Sequence, residues 1–227
     1  MPVALITGAS AGLGLATARA LAARDWTLII DARGKANLEL AAAALPGTVA
    51  IAGDIADPVH RQELAAAVGR AGRLDLLVNN ASLLGPSPQP ALADYPYDEL
   101  EQVYRVGVFG PLALTQLLLP ALVASRGTVV NISSDAAVEA YQGWGGYGSA
   151  KAALDQLTRV LAAEQPELAV YAFDPGDMRT DMHQQAFPDE DISDRPEPDA
   201  VAVPGLLRLL DTRPASGRYR AAELTAD

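Results

Sequence analysis

Short apolar runs alternate along this chain with longer stretches in which apolar positions recur every three or four residues. The short runs read as strands over 3–7, 26–32, 48–53, 74–78, 128–132 and 168–173, with a last short one over 217–221. The longer stretches read as helices over 15–24, 38–45, 59–68, 97–122, 147–164 and 201–210. Apolar strands separated by amphipathic helices predict a parallel sheet covered on both faces. Right-handed crossovers then give an α/β, doubly wound, Rossmann-type fold, here one domain over 1–227. Gly107, Gly110 and Pro111 predict a kink or break inside the 97–122 helix. Pro86, Pro88, Pro90 and Pro96 make 83–96 a loop. Residues 183–199, rich in Asp, Glu and Pro, read as a mobile surface segment, either a lid or a connection.

Half of the 227 residues are hydrophobic, enough for a domain that buries about 70% of its unfolded surface. A net charge of −11 argues against nucleic acid and against anionic membranes as partners. Cysteine is absent, which removes disulfides, thiol catalysis and cysteine-bound metals and suits a reducing compartment. The N-terminus runs straight into a strand without an export signal, and the apolar run 112–124, carrying Thr115, Gln116 and Pro120, falls short of a membrane span. A soluble, cytoplasmic protein is the expectation. His60 and His183 lie far apart with no ligand-spaced cluster, so no metal site is expected and both read as solvated surface residues.

Two stretches carry chemistry. Gly8-Ala9-Ser10-Ala11-Gly12-Leu13-Gly14 sits between the first strand and the first helix. That layout offers a tight turn, close backbone approach and free helix N–H groups to a pyrophosphate. Tyr147 and Lys151 are four residues apart on a helix and share one face. An ammonium beside a phenol favours its ionised form, below a usual value near 10, which would suit Tyr147 to proton transfer.

With Thr7-Gly8-x-x-x-Gly12-x-Gly14, Asn79-Asn80-Ala81, Ser134, Tyr147-x-x-x-Lys151 and Pro175-Gly176 in this order, the chain resembles the short-chain dehydrogenase/reductases, in their compact oxidoreductase branch. The resemblance implies Ser134, Tyr147 and Lys151 as catalytic residues, with Ser134 thirteen positions before the tyrosine as the family pattern has it. It implies cofactor contacts from Gly8, Ser10, Gly12, Leu13 and Gly14, and from Arg33, Asp54 and Ile55. Asn80, Ala81, Pro175, Gly176 and Thr180, with Tyr147 and Lys151 again, complete that set, and Asn79 is similar to the residue that supports it. Ser82 stands where the family usually has glycine, and Gly107 where it usually has an asparagine that fixes a kink and serves a proton relay.

The implied activity is interconversion of a carbonyl and a secondary alcohol by hydride transfer, on a small-molecule substrate, by a homodimer or homotetramer. The alternative is a nucleotide-sensing or structural protein of the same fold that has lost turnover. NADP(H) is the preferred cofactor, with NAD(H) possible. An NAD-preferring site keeps an acid against both ribose hydroxyls. That position, eighteen residues after the last motif glycine, is here Ala32; Asp31 points to the other face, and Arg33 suits a 2′-phosphate. Stretches 79–85 and 180–185 are similar to those of sepiapterin reductases, which implies a pterin-type or other small cyclic ketone. Tyr141, Trp144, Leu83, Leu84 and Met182, beside these motifs, are expected to line the substrate pocket.

Overall fold

A computed structural model describes residues 1–225; residues 226–227, the end of the expected domain, lie outside the described residues. Its seven strands are β1 (Val3–Ile6), β2 (Thr27–Ala32), β3 (Val49–Ala52), β4 (Leu76–Asn79), β5 (Thr128–Ile132), β6 (Ala169–Asp174) and β7 (Gly217–Arg220). They form one sheet in the order β3-β2-β1-β4-β5-β6-β7, parallel throughout. The chain winds outward from β1 to one edge and then from β4 to the other. The crevice beyond the carboxyl ends of β1 and β4 is therefore the switch point at which such sheets bind ligands.

Side-chain alternation along the strands sorts the apolar residues into two layers. Ala4, Ile6, Leu28, Ile30, Val78, Val130, Tyr171 and Phe173 pack on one face, against Leu13 and Leu21 of α1 (Gly12–Ala22), Leu38 of α2 (Lys35–Ala43) and Leu206 and Leu209 of a later helix, Ala202–Thr212. Val3, Leu5, Ile29, Leu77, Val129 and Val170 pack on the other, against Leu64 and Val68 of α3 (Pro58–Ala71) and Leu114, Leu118 and Leu122 of the helix Gly110–Ser125. Consecutive residues serve opposite layers, which is why these strands are apolar at every position instead of every second one. The edge strands depart from this: Val49, Ala50 and Ala52 of β3 are exposed, and β7 (Gly-Arg-Tyr-Arg) is polar and half-buried with Arg220 exposed. α3 starts and stops on local chemistry: Asp57 accepts the Val59 N–H at 2.8 Å, Pro58 fills the first turn, and Gly72 ends it at φ 76°.

The expected break in the long helix is a π-helical turn, Arg105–Phe109, between α4 (Tyr97–Tyr104) and α5 (Gly110–Ser125). The N–H of Gly110 reaches back to the Arg105 carbonyl, one extra residue in the turn, just before Pro111. The helical run is continuous from Tyr97 to Ser125, 29 residues, and is long and apolar enough to cross a membrane by length and composition, contrary to the shorter apolar run read from sequence. Half of its most apolar window is buried inside the domain. α6 (Gly145–Glu164) carries Tyr147 and Lys151; α7 (Asp181–Ala186), α8 (Ala202–Thr212) and α9 (Ala221–Thr225) follow. α7 and α9 have no counterpart in the sequence reading, since each is too short to show a helical period.

Candidate active site

A cleft of about 1020 Å³ opens along the carboxyl ends of β1 to β6. Its floor is the glycine turn. Gly8 sits at φ 66°, and a Cβ on Gly14 would stand 2.5 Å from the Gly8 carbonyl oxygen and 2.6 Å from the Asn80 amide, so no side chain fits there. Asn80 Nδ2 donates to the carbonyls of Thr7 (2.8 Å) and Gly8 (3.1 Å), and the N–H groups of Asn80 and Ala81 both donate to Thr7 Oγ1 (3.0 and 2.9 Å). The end of β4 is thereby tied to the turn after β1. Asn79 faces the other way: it is buried, and its amide donates to Asn131 Oδ1 (2.7 Å) and Thr115 Oγ1 (3.2 Å). α1 starts at Gly12 with no side-chain cap and no acid in its first turn, so its N-terminal N–H groups face the cleft beside Ser10, Leu13 and Gly12.

Beneath the turn lies a buried pair that corrects the surface reading of His60. The Gly8 N–H donates to Asp31 Oδ1 (2.8 Å), and Asp31 Oδ2 meets His60 Nε2 at 2.9 Å; the two residues are 1% and 3% exposed. The Asp31 carboxylate points inward as strand alternation requires, and a charge buried there needs a partner, which His60 supplies. The Asp31 hydrogen bond raises the His60 pKa above its ordinary value; burial opposes this, and the charges of Asp31 and Glu63 reinforce it. A raised folded value means stability that is complete below the unfolded value of about 6.5 and is lost as pH climbs through the folded one. The melting-temperature gap between wild type and His60→Asn is therefore expected to be wider at pH 6 than at pH 9. A gap that does not change with pH would show that the imidazolium contributes nothing.

The end of β2 forms the far wall. Arg33, Arg19 and Asn37 line it together, and neither arginine is paired with a carboxylate among the described residues. Arg19, about one turn along α1 from Leu15, carries no motif in the sequence. Asp54 and Ile55 line the cleft too; Asp54 Oδ1 accepts the Ala56 N–H at 2.8 Å, a local turn contact that serves the loop as well as any ligand.

At the opposite end stand Ser134, Tyr147 and Lys151, brought to one wall from the end of β5 and the first turns of α6. Lys151 is 2% exposed; its ammonium donates to the Ile132 carbonyl at 2.6 Å and lies 5.4 Å from the centre of the Tyr147 ring. Burial pushes the ammonium down to about 8, with the Asp155 carboxylate working against it. The phenol does not follow the expected direction. Burial, then the Asp174 and Asp135 carboxylates, drive the Tyr147 pKa strongly upward, and hydrogen bonding from Ser134 and Ser82 opposes them only in part. Lysine proximity alone does not decide, because two acids that a linear reading cannot place sit near the same hydroxyl. Ser134 Oγ donates to Asp135 Oδ1 (2.9 Å), whose Oδ2 accepts from the Tyr141 hydroxyl (3.0 Å).

The sequence matches the family described as short chain dehydrogenase over residues 2–191. This chain belongs to the short-chain dehydrogenases. It is 36% identical to sepiapterin reductase of Mus musculus over 201 residues, 81% of this chain and 77% of that one. It is 38% identical over 185 residues to serine 3-dehydrogenase of Agrobacterium fabrum, covering 78% and 72%. A short-chain dehydrogenase from Escherichia coli complexed with NADPH superposes with a TM-score of 0.91 at 30% identity, over 97% of this chain and 96% of that one. The chain is an NAD(P)-dependent oxidoreductase of this family, with a single Rossmann-type fold.

Within the short-chain dehydrogenase frame, several substrate-side residues differ from expectation. Trp144, Leu84 and Met182 line the cleft as expected, but Tyr141 and Leu83 do not. Tyr141 is 47% exposed with its hydroxyl on Asp135, and Leu83 packs into the core. His183 is not a surface residue: its side chain is 11% exposed, it lines the cleft, and its ring lies 4.9 Å from Phe187, which in turn is 5.8 Å from Trp144. Pro175, Gly176 and Thr180 lie along the roof, and Thr180 Cγ2 would stand 3.5 Å from a Cβ on Gly12 across the cleft. Thr180 Oγ1 also caps α7 by accepting the His183 N–H at 3.2 Å. The 183–199 stretch forms one wall, anchored by the Arg179 N–H on the Pro196 carbonyl (2.8 Å) and the Arg179–Glu197 ion pair. Gly107 is buried in the π turn, and a Cβ there would meet Ala150 of α6 at an ordinary 3.7 Å. Tight packing therefore does not dictate glycine at this site.

Proposed function

We propose that this short-chain dehydrogenase uses NADP(H) to reduce a carbonyl to a secondary alcohol, and the reverse, with Tyr147 as the proton donor and acceptor. The observation that carries this reading is the meeting of Ser134, Tyr147 and Lys151 on one wall of the same cleft whose floor is the uncapped glycine turn. The residues present fit the cofactor: a turn that excludes side chains at Gly14 suits close approach of a pyrophosphate, and the α1 N-terminus favours its charge. Gly8, Ser10, Gly12, Leu13 and Gly14 would hold the phosphates, Asp54 and Ile55 the adenine side, and Asn80, Ala81, Pro175, Gly176 and Thr180 the nicotinamide half. The bound cofactor supplies the hydride. Tyr147 supplies the proton that the carbonyl oxygen takes up, and Ser134 holds that oxygen by hydrogen bond. Lys151 keeps an ammonium beside the phenol and would hold the ribose hydroxyls of the cofactor.

With its pKa raised, Tyr147 carries its proton throughout the neutral range, as a proton donor to the carbonyl oxygen requires. Trp144 and His183 line the cleft, with Phe187 packed against both rings, and these aromatic faces favour a planar substrate such as a small cyclic ketone. Complete catalytic residues speak against a purely nucleotide-sensing or structural role. Exposed Phe109 at the end of the π turn and Leu112 and Leu117 on α5, with Val160 on α6, supply an apolar face for a homodimer or homotetramer. The lack of cysteine fits a reducing compartment such as the cytoplasm.

NADP(H) preference rests on the far wall. Asp31 is turned inward and neutralised by His60, while Arg33, Arg19 and Asn37 present donors where a 2′-phosphate would lie. One charge-assisted contact is worth about 1.5–3 kcal/mol, so Arg33→Ala should weaken NADPH binding by about tenfold or more and leave NADH nearly unchanged. Fluorescence titration of both cofactors decides it. Tighter NADH binding by the wild type, or an unaltered NADPH affinity in the variant, would overturn the preference.

A further inference from the structure

The strand β7 lies beyond the residues that match the family, yet it sends an arginine to the back of the active site. Arg218 Nη2 donates to the Ser134 carbonyl and to Asp174 Oδ2, both at 2.9 Å, and its Nε donates to Asp155 Oδ2 at 3.1 Å. One guanidinium thus joins the ends of β5 and β6 to α6. The two acids it meets are deeply buried, with side chains 2% (Asp174) and 6% (Asp155) exposed. Buried carboxylates of this kind persist only when paired. Asp155 lies one turn beyond Lys151 on α6, and Asp174 is the acid that acts most strongly on Tyr147.

We propose that Arg218 is a positioning residue of this active site, which fixes the Ser134 backbone and balances the buried acids that act on Lys151 and Tyr147. The inference rests on the oxidoreductase reading above. Lys151 faces Tyr147 and Asp155 of α6; Asp135 after β5 and Asp174 of β6 act on Tyr147, and Arg218 and Arg220 of β7 reach the acids. Asp155 and Asp174 are offset by Arg218 and Lys151, two charges of each sign in the buried cluster. Burial pushes the Asp155 carboxyl up, while Ser133, Arg218 and Lys151 pull it back. Without the guanidinium, Asp155 acts on Lys151 alone, and the ammonium holds its proton to higher pH. The sign reverses if Asp155 itself is neutralised.

The test measures NADPH affinity by fluorescence between pH 7 and 9.5, which needs no substrate, and turnover with diacetyl as the carbonyl probe. Wild-type affinity should decline as Lys151 loses its proton near pH 8. In Arg218→Met that decline should move up by about half a pH unit or more, and in Asp155→Asn it should move down. Arg218→Lys, which keeps the charge but not the fork, should follow the wild-type pH curve while diacetyl turnover drops about tenfold from the loosened Ser134 backbone. If Arg218→Met does not fold, the opposite behaviour of Asp155→Asn and the split in Arg218→Lys still decide. Superimposable pH curves and unchanged turnover in the folded variants would reduce Arg218 to a structural ion pair and overturn the proposal. A wild type that does not bind NADPH at any pH would instead overturn the NADP(H)-dependent reading on which it rests.

Discussion

Tyr147→Phe is expected to lower kcat/KM for carbonyl reduction by about 100- to 10,000-fold, the range that a positioned general acid contributes. The NADPH dissociation constant should stay within about threefold of wild type, because the ring and its place beside Lys151 remain while only the transferable proton is removed. The loss should fall on kcat instead of KM, since a proton delivered in the transition state does not help ground-state binding. Steady-state kinetics with NADPH and a carbonyl panel, alongside fluorescence titration, measure both quantities. A Phe variant that turns over normally would assign the proton to another group.

Lys151→Ala should damage binding and turnover together. The ammonium is buried, donates to the Ile132 carbonyl at 2.6 Å and stands against the Tyr147 ring, so its removal takes charge from both the ribose site and the phenol. Loss of a charge-assisted hydrogen bond of about 1.5–3 kcal/mol predicts NADPH affinity about tenfold weaker or more, and turnover should fall about a hundredfold. The wild type adds a pH signature. Lys151 sits near 8, so reduction should slacken above that pH as the ammonium is lost, and this limb should vanish in the alanine variant. A limb that persists in Lys151→Ala would have to come from a different group.

The order of strands and helices, the glycine turn and the Tyr147–Lys151 pair are all legible in the sequence, because each depends on local periodicity or on a fixed spacing along one element. Arg33 after β2 and the inward turn of Asp31 follow from strand alternation in the same way. The π turn at Arg105–Phe109 is signalled by Gly107, Gly110 and Pro111 close together. What the tertiary structure alone decided is which distant side chains share a site. His60 and Asp31 are 29 residues apart and meet only because α3 packs under β2, which turns an apparent surface histidine into a buried partner. The direction of the Tyr147 pKa comes first from burial and then from Asp174 and Asp135, brought to the phenol by β6 and by the turn after β5, and it opposes what Lys151 alone would give. Arg218 is 84 residues from the Ser134 carbonyl that it holds. Electrostatics at a buried site is a sum over neighbours in space, and a spacing rule along one helix supplies only one of its terms.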